Sequence, residues 1–264
     1  MTTYRELVNA LRMVAPDRSR PVVVHASLPA LGEIAGGVET VVGALLTTYD
    51  TVVVPVFTYK TMLVPEVGPP DNGITYGSGT AQNALAEFFH PDLPADESMG
   101  AFSETLRRLP QARRSTHPIL SFAGVNANPI LQAQTIEEPL APLRILTERG
   151  GFVLLMGVDH TQNVSIHLAE KLAGRKQFVR WALTRRGVVE CPNFPGCSHG
   201  FEAIASRLAG TTRWVPIGAD KIQALPLREL VQTARRMIEE NPLALCCDRG
   251  DCECCRAIRE PINM

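Results

Sequence analysis

The stretch "GGFVLLMGVDHTQNVSIHLAE", residues 150–170, joins an unbroken apolar run to a segment bearing two histidines, an amide and a carboxylate. A run without alternation suits a strand covered on both faces, as strands between two helical layers are. Two more runs share that character, "PVVVHAS" (21–27) and "DTVVVPVF" (50–57). Helical spacing recurs over 36–49, 79–89, 100–110 and 166–174. Strand–helix alternation of this kind predicts an α/β fold with a mostly parallel central sheet flanked by helices. A hairpin over 176–192 and helices around 200–210 and 226–242 make a C-terminal subregion from about residue 175. Residues 1–264 are therefore expected to form one domain.

Composition narrows the function classes. Apolar residues make up 45% of the chain and charged residues 20%, with a formal net charge of −1. Such a chain has no global field to recruit nucleic acid or an anionic membrane. No apolar run is long enough to cross a bilayer, and the first twenty residues read as an amphipathic helix rather than a signal peptide. A cytoplasmic protein with reduced thiols is expected, monomeric or homodimeric. Of seven cysteines none precedes Cys191, and five crowd into "CCDRGDCECC", residues 246–255. That tail is either a small reduced or partly oxidised knot or a zinc site using thiolates such as Cys246, Cys247, Cys252 and Cys255. Adjacent cysteines depart from paired C-x-x-C spacing and no histidine lies near them. The knot is the favoured reading, and no metal is expected.

In an open α/β sheet, ligands gather at the carboxyl ends of strands. His25 and Ser27 follow the first run, and Asp159 and His160 follow the third. Taken as one helix entered at His160, the residues His160, Asn163, His167 and Glu170 fall at roughly 0°, 300°, 340° and 280° and share a face. Long turn-rich stretches at 59–79 and 90–99 suit lids or walls of a cleft. Two motif matches carry less. "GCSHG" (196–200) fits the pattern of a nucleophile elbow around Ser198, but Pro192 and Pro195 stand where its strand should be. Cys197 has no base beside it in sequence, and "YGSGT" (76–80) lacks the lysine of a phosphate-binding loop.

Four stretches, taken in order, resemble the aminoglycoside 3-N-acetyltransferase family. They are "VVVHASLPALGEIAGGVETVVGALL", "VVVPVFTY", "MGAFSETLRRLPQARRSTHPILSFAGVNA" and "EEPLAPLRILTERGGFVLLMGVDHTQNVSIHLAE". The resemblance spans about residues 20–200 and implies the antibiotic N-acetyltransferase fold. It also implies transfer of acetyl from acetyl-coenzyme A to the 3-amino group of an aminoglycoside, with no metal required. The L-H-x-A-E element places the catalytic histidine on His167, with Glu170 one turn on. Isoleucine stands for leucine at 166. His25 becomes a second base or a hydrogen-bonding partner near the thioester. The same carry-over puts Ser27, Leu28, Thr58, Arg114, Ser115, His117, Ser121 and Ser165 on the coenzyme side.

The residue types suit that chemistry. A protonated amine cannot attack a thioester until a base removes a proton, and an imidazole backed by a carboxylate titrates in the right range. The tetrahedral intermediate needs a hydrogen-bond donor, from Ser27, Ser165 or a backbone amide. Arg113 and Arg114 can pair with phosphates. A polycationic acceptor calls for an acidic wall of two or three carboxylates drawn from Glu66, Asp71, Asp96, Glu97, Glu137, Glu138 and Asp159, with His160 at its rim. Three alternatives stay open: transfer to another small amine, a zinc or thiol interaction module, and a serine hydrolase.

Overall fold

The computed structural model describes residues 1–15 and 17–260. The three apolar runs are strands β1 (Val22–Ala26), β2 (Val52–Pro55) and, after intervening elements, β6 (Phe152–Met156). β1 lies between the other two and is parallel to both. Their lack of alternation has the expected cause. Val23, Val53, Val153 and Leu155 enter one core cluster, while Val22, Val24, Val52, Val54 and Leu154 enter the other. Each strand thus buries both of its faces, and successive residues serve opposite layers.

The remaining strands are β3 (Met62–Leu63), β4 (Ala112–Arg114), β5 (Phe122–Val125), β7 (Phe178–Thr184), β8 (Gly187–Phe194), β9 (Arg213–Ile217) and β10 (Asp220–Pro226). The main sheet has seven strands in the order β4-β5-β2-β1-β6-β10-β9. Only its central three are parallel; β5, β4, β10 and β9 pair antiparallel on either side. The α/β class is as expected, and the sheet is mixed: its flanks are built from hairpin-like pairings that need no crossover helix. β7 and β8 form the expected hairpin, joined by β3 in a separate three-stranded sheet.

Helices Tyr4–Val14 and Gly37–Thr48 cover one face of the sheet, and helices Ala141–Glu148, Ser165–Leu172 and Leu227–Glu240 cover the other. The first is fixed at its start by a capping box: the Thr3 hydroxyl accepts from the Glu6 amide, and the Glu6 carboxylate accepts from the Thr3 amide. The helix expected over 79–89 is short, Thr80–Ala84, because it buries no side chain. Beyond it the Glu87 and Phe89 amides donate to the carbonyls of Lys60 and Leu183, which holds the chain extended. Among the described residues no helix is long and apolar enough to cross a membrane.

Candidate active site

β1 and β6 end side by side, where the Ser27 amide donates to the Met156 carbonyl at 2.9 Å. Gly157 turns the chain away there at φ +66°, and a Cβ would meet the Ser27 carbonyl oxygen at 3.0 Å. Only glycine fits. The turn opens a cavity of about 170 Å³ whose wall includes His25, Tyr59, Thr161, His167 and Ser198. A broad open cleft adjoins it, sharing Ala26, Ser98, Met99, Val158, Thr161 and Gln162.

The segment leading to His167 is divided, not one helix. Asp159 caps a short 3₁₀ turn (His160–Gln162) by accepting from the Thr161 amide at 2.9 Å. Asn163 is extended and accepts from the Ser165 amide at 3.1 Å, starting the helix Ser165–Leu172. An Asx cap followed by an Asx turn outweighs the shared face that the sequence suggests. His160 therefore belongs to the turn. Its Nδ1 meets Asn163 Nδ2 at 3.2 Å, and its amide donates to Glu202 Oε2 at 2.8 Å. Burial lowers its pKa, against the pull of Glu202 and Asp159.

His167 and Glu170 do share a helical turn. His167 Nδ1 lies 2.7 Å from Glu170 Oε2, and the imidazole meets Phe201 edge-on at 4.8 Å between centroids. An ionised carboxylate can only accept, so Nδ1 carries the proton and Nε2 keeps its lone pair. Glu170 is 2% exposed, and its other oxygen accepts from Arg175 Nη1 at 2.8 Å. Arg175 arrives there through the helix's ending. Gly174 sits at φ +75°, its amide bonding to the Lys171 carbonyl at 3.1 Å, and the Arg175 amide reaches back to the Glu170 carbonyl at 3.0 Å. This paired closure is the Schellman motif. Arg175 Nη2 then donates to the carbonyls of Pro242 and Ala244 at 2.7 and 2.5 Å. A buried row results: imidazole, carboxylate, guanidinium, tail backbone. Arg175 escaped sequence reasoning, although the "EKLAGR" helix ending marks it.

His25 is 6% exposed, and burial, with His160 nearby, pushes its pKa down to about 3. Its Nε2 has no partner among the described residues. An imidazole so reluctant to protonate is a poor general base but a serviceable neutral hydrogen-bonding group.

The residues expected on the coenzyme side are mostly not brought to the cavity. Thr58 donates to the Pro118 carbonyl at 2.7 Å, and Ser115 accepts from the Phe122 amide at 2.8 Å. His117 Nδ1 accepts from the amides of Ile119 and Leu120 at 3.2 and 2.9 Å, and burial lowers its pKa to about 4. Arg114 donates to Ser121 Oγ and to the carbonyls of Val56 and Pro91 at 3.0, 3.0 and 3.1 Å, and to that of Leu93. Its guanidinium stacks over Phe89 and, being largely buried, has its pKa lowered to about 10. The donors of Arg114, read from the sequence as a phosphate clamp, here satisfy protein carbonyls where β2, the 91–93 loop and β5 meet. Ser27 lines the open cleft, Leu28 packs on the core, and the Ser165 hydroxyl is buried without a partner among the described residues.

Of the expected acidic wall only Asp159 lines the cleft, where Glu202 and Asp220 join it. Neither of those two carried a local sequence signal. Glu138 instead pairs with Lys171 at 2.7 Å, and Glu137 offers its carbonyl to Asn193 at 2.8 Å. Asp71 lines a separate hollow with Glu253 and Arg256. Asp96 caps the turn Glu97–Met99. No carboxylate stands among the described residues lining the inner cavity. Ser198 lines that cavity from an irregular loop after β8, not from a strand-to-helix elbow.

The chain is 29% identical over 176 residues to the SPbeta prophage-derived aminoglycoside N(3')-acetyltransferase-like protein YokD of Bacillus subtilis (strain 168), covering 64% of each chain. It is 33% identical over 173 residues to aminoglycoside N(3)-acetyltransferase IX of Micromonospora chalcea, covering 61% of this chain and 59% of that one. The match therefore spans about three fifths of the length of these relatives. The crystal structure of the aminoglycoside acetyltransferase AAC(3)-IVa apoenzyme superposes with a TM-score of 0.80, covering 98% of this chain and 97% of that one at 24% identity. Residues 23–239 match the family model for aminoglycoside 3-N-acetyltransferase, and the chain belongs to that family.

Proposed function

We propose that the chain transfers acetyl from acetyl-coenzyme A to the 3-amino group of an aminoglycoside, working as one domain. The observation that carries the reading is the buried His167–Glu170 contact at 2.7 Å on the cavity wall. In this mechanism the substrate ammonium first loses one proton to solvent, and Nε2 of His167 takes a second from the nitrogen as the free amine attacks the thioester carbonyl. The new N–C bond forms, the C–S bond breaks, and the proton on His167 passes to the departing thiolate of coenzyme A. Glu170 stabilises the transient imidazolium, and Arg175 holds that carboxylate in place. Neutral His25 offers a hydrogen bond beside the reacting carbonyl. Asp159, Glu202 and Asp220 attract the remaining ammonium groups of the acceptor. Solved chains of the same fold support the substrate pair: AAC-IIIb was crystallised with CoASH and AAC-VIa with sisomicin.

A second acceptor class rests on a specific observation, the absence of carboxylates from the described lining of the inner cavity. That wall favours a small amine of low charge. Thiol release from acetyl-coenzyme A, measured across aminoglycosides and simple monoamines, separates the two readings. Turnover of aminoglycosides with product acetylated at N3 supports the first. Turnover of monoamines alone transfers the conclusion to the second, and no thiol release with any amine overturns both.

A further inference from the structure

Five of the seven cysteines fall in the tail and have no part in the chemistry above. Four thiols nonetheless converge: the Sγ atoms of Cys197, Cys247, Cys252 and Cys255 all lie within 4.8 Å of one another. They come from three places in the fold. Cys197 stands in the loop after β8, Cys247 follows the tail turn, and Cys252 and Cys255 begin the helix Glu253–Arg259 as its N-cap and a first-turn residue. A spacing of three across a helix start puts both sulfurs on one side. Cys246 is not in the quartet; Cys197, distant in sequence, takes its place.

A tetrahedral zinc ion with Zn–S bonds of about 2.3 Å sets sulfur–sulfur edges of roughly 3.8 Å. The quartet is already close to that size, with Cys247 and Cys255 at 3.5 Å. A disulfide would use two of these sulfurs and leave the other pair facing it, whereas a metal uses all four. We propose that Cys197, Cys247, Cys252 and Cys255 form a structural zinc site with four thiolate ligands and no open position. Each thiol gives its proton to solvent on binding. Outer partners suited to thiolates are in place. His199 Nδ1 lies 3.1 Å from Cys197 Sγ, and the His199 amide donates to the same sulfur at 3.4 Å. Arg259 donates to the Cys247 carbonyl. Such contacts hold ligands in orientation and offset the charge of the site.

The zinc would act on the cavity at second hand. Cys197 lies between Gly196 and Ser198, which line the cavity, while the segment entering Cys247 carries the Ala244 carbonyl that holds Arg175. One ion thereby joins the cavity wall to the segment that supports Glu170.

The test uses the whole reduced chain. Elemental analysis should find about one zinc per chain, and titration of the demetallated protein with Zn²⁺ should saturate at the same ratio and raise Tm. Replacement by Co²⁺ should give the intense visible bands of a tetrahedral cobalt–thiolate complex. Cys197→Ser and Cys255→Ser should lose most of the metal and that spectrum, while Cys246→Ser keeps both. A reduced wild-type chain that takes up neither Zn²⁺ nor Co²⁺ overturns the site, whether or not the serine variants fold. So does a Cys246→Ser chain as poor in metal as Cys197→Ser.

Discussion

Glu170 holds its charge almost fully buried because a histidine and an arginine share it. Removing one partner of such a set costs more than the contact itself, since the remaining charge is stranded in a poor solvent. Arg175→Met, similar in bulk, should therefore destabilise the fold by roughly 3–5 kcal/mol in denaturant titrations. A neutral result would mean Arg175 only fills space. His167→Ala should lower kcat by roughly 10²–10⁴-fold with little change in Tm, because what it removes is the base. The residual rate should climb with pH as more amine arrives deprotonated. Wild-type turnover in that variant would return His167 to a packing role. Two other histidines make stability depend on acid. Folded His25 and His117 resist protonation down to about 3 and about 4, against 6.5 as the ordinary value. As pH falls below 6.5 the unfolded chain gains protons that the folded chain refuses. Stability is thus fully present above 6.5 and is lost toward pH 4, at about 1.4 kcal/mol per pH unit for each histidine. Thermal unfolding from pH 7 to 5 should show this slope, and His25→Gln with His117→Gln should flatten it.

Among the elements, β1, β2 and β6 were legible because both faces of each are buried, which leaves a run of apolar residues on the chain itself. β9 and β10 were not. They pair at the sheet's margin, where exposed Arg213, Trp214 and Lys221 break any apolar pattern. The His167–Glu170 pair was legible because a helical turn is a local repeat. Glu202 and Asp220 reach the cleft only by tertiary folding, so nothing in their neighbourhoods announced them. Arg114 shows a different obstacle. An arginine that cradles carbonyls and one that clamps phosphates have the same local sequence, and only the fold distinguishes them. Arg114→Ala should accordingly act on the β4–β5 region. It leaves the carbonyls of Pro91 and Leu93 without their donor, which should cost roughly 1.5–3 kcal/mol in unfolding experiments while leaving the acetyl-coenzyme A KM near wild type. A donor KM that rises with no loss of stability would restore the phosphate reading.

Across the whole molecule, the near-zero net charge conceals a local field, since three carboxylates and one lysine border the open cleft. Neutralising Asp159, Glu202 and Asp220 together, as Asn, Gln and Asn, should raise the KM for an aminoglycoside several-fold and weaken its dependence on salt. The KM for acetyl-coenzyme A should hold steady. An unchanged aminoglycoside KM would remove the cleft from acceptor recognition. The grip of Pro242 and Ala244 on Arg175 also bears on how the protein is made. The sheet, the base and its carboxylate all emerge from the ribosome before residue 242, but the carbonyls that seat Arg175 do not. A nascent chain can collapse around β1, β2 and β6 while Glu170 still lacks a settled cation. Competence is then acquired late in synthesis, and an arrested or nicked chain missing this segment would lack both the seat of Arg175 and the core residues Leu245, Ala257 and Ile258.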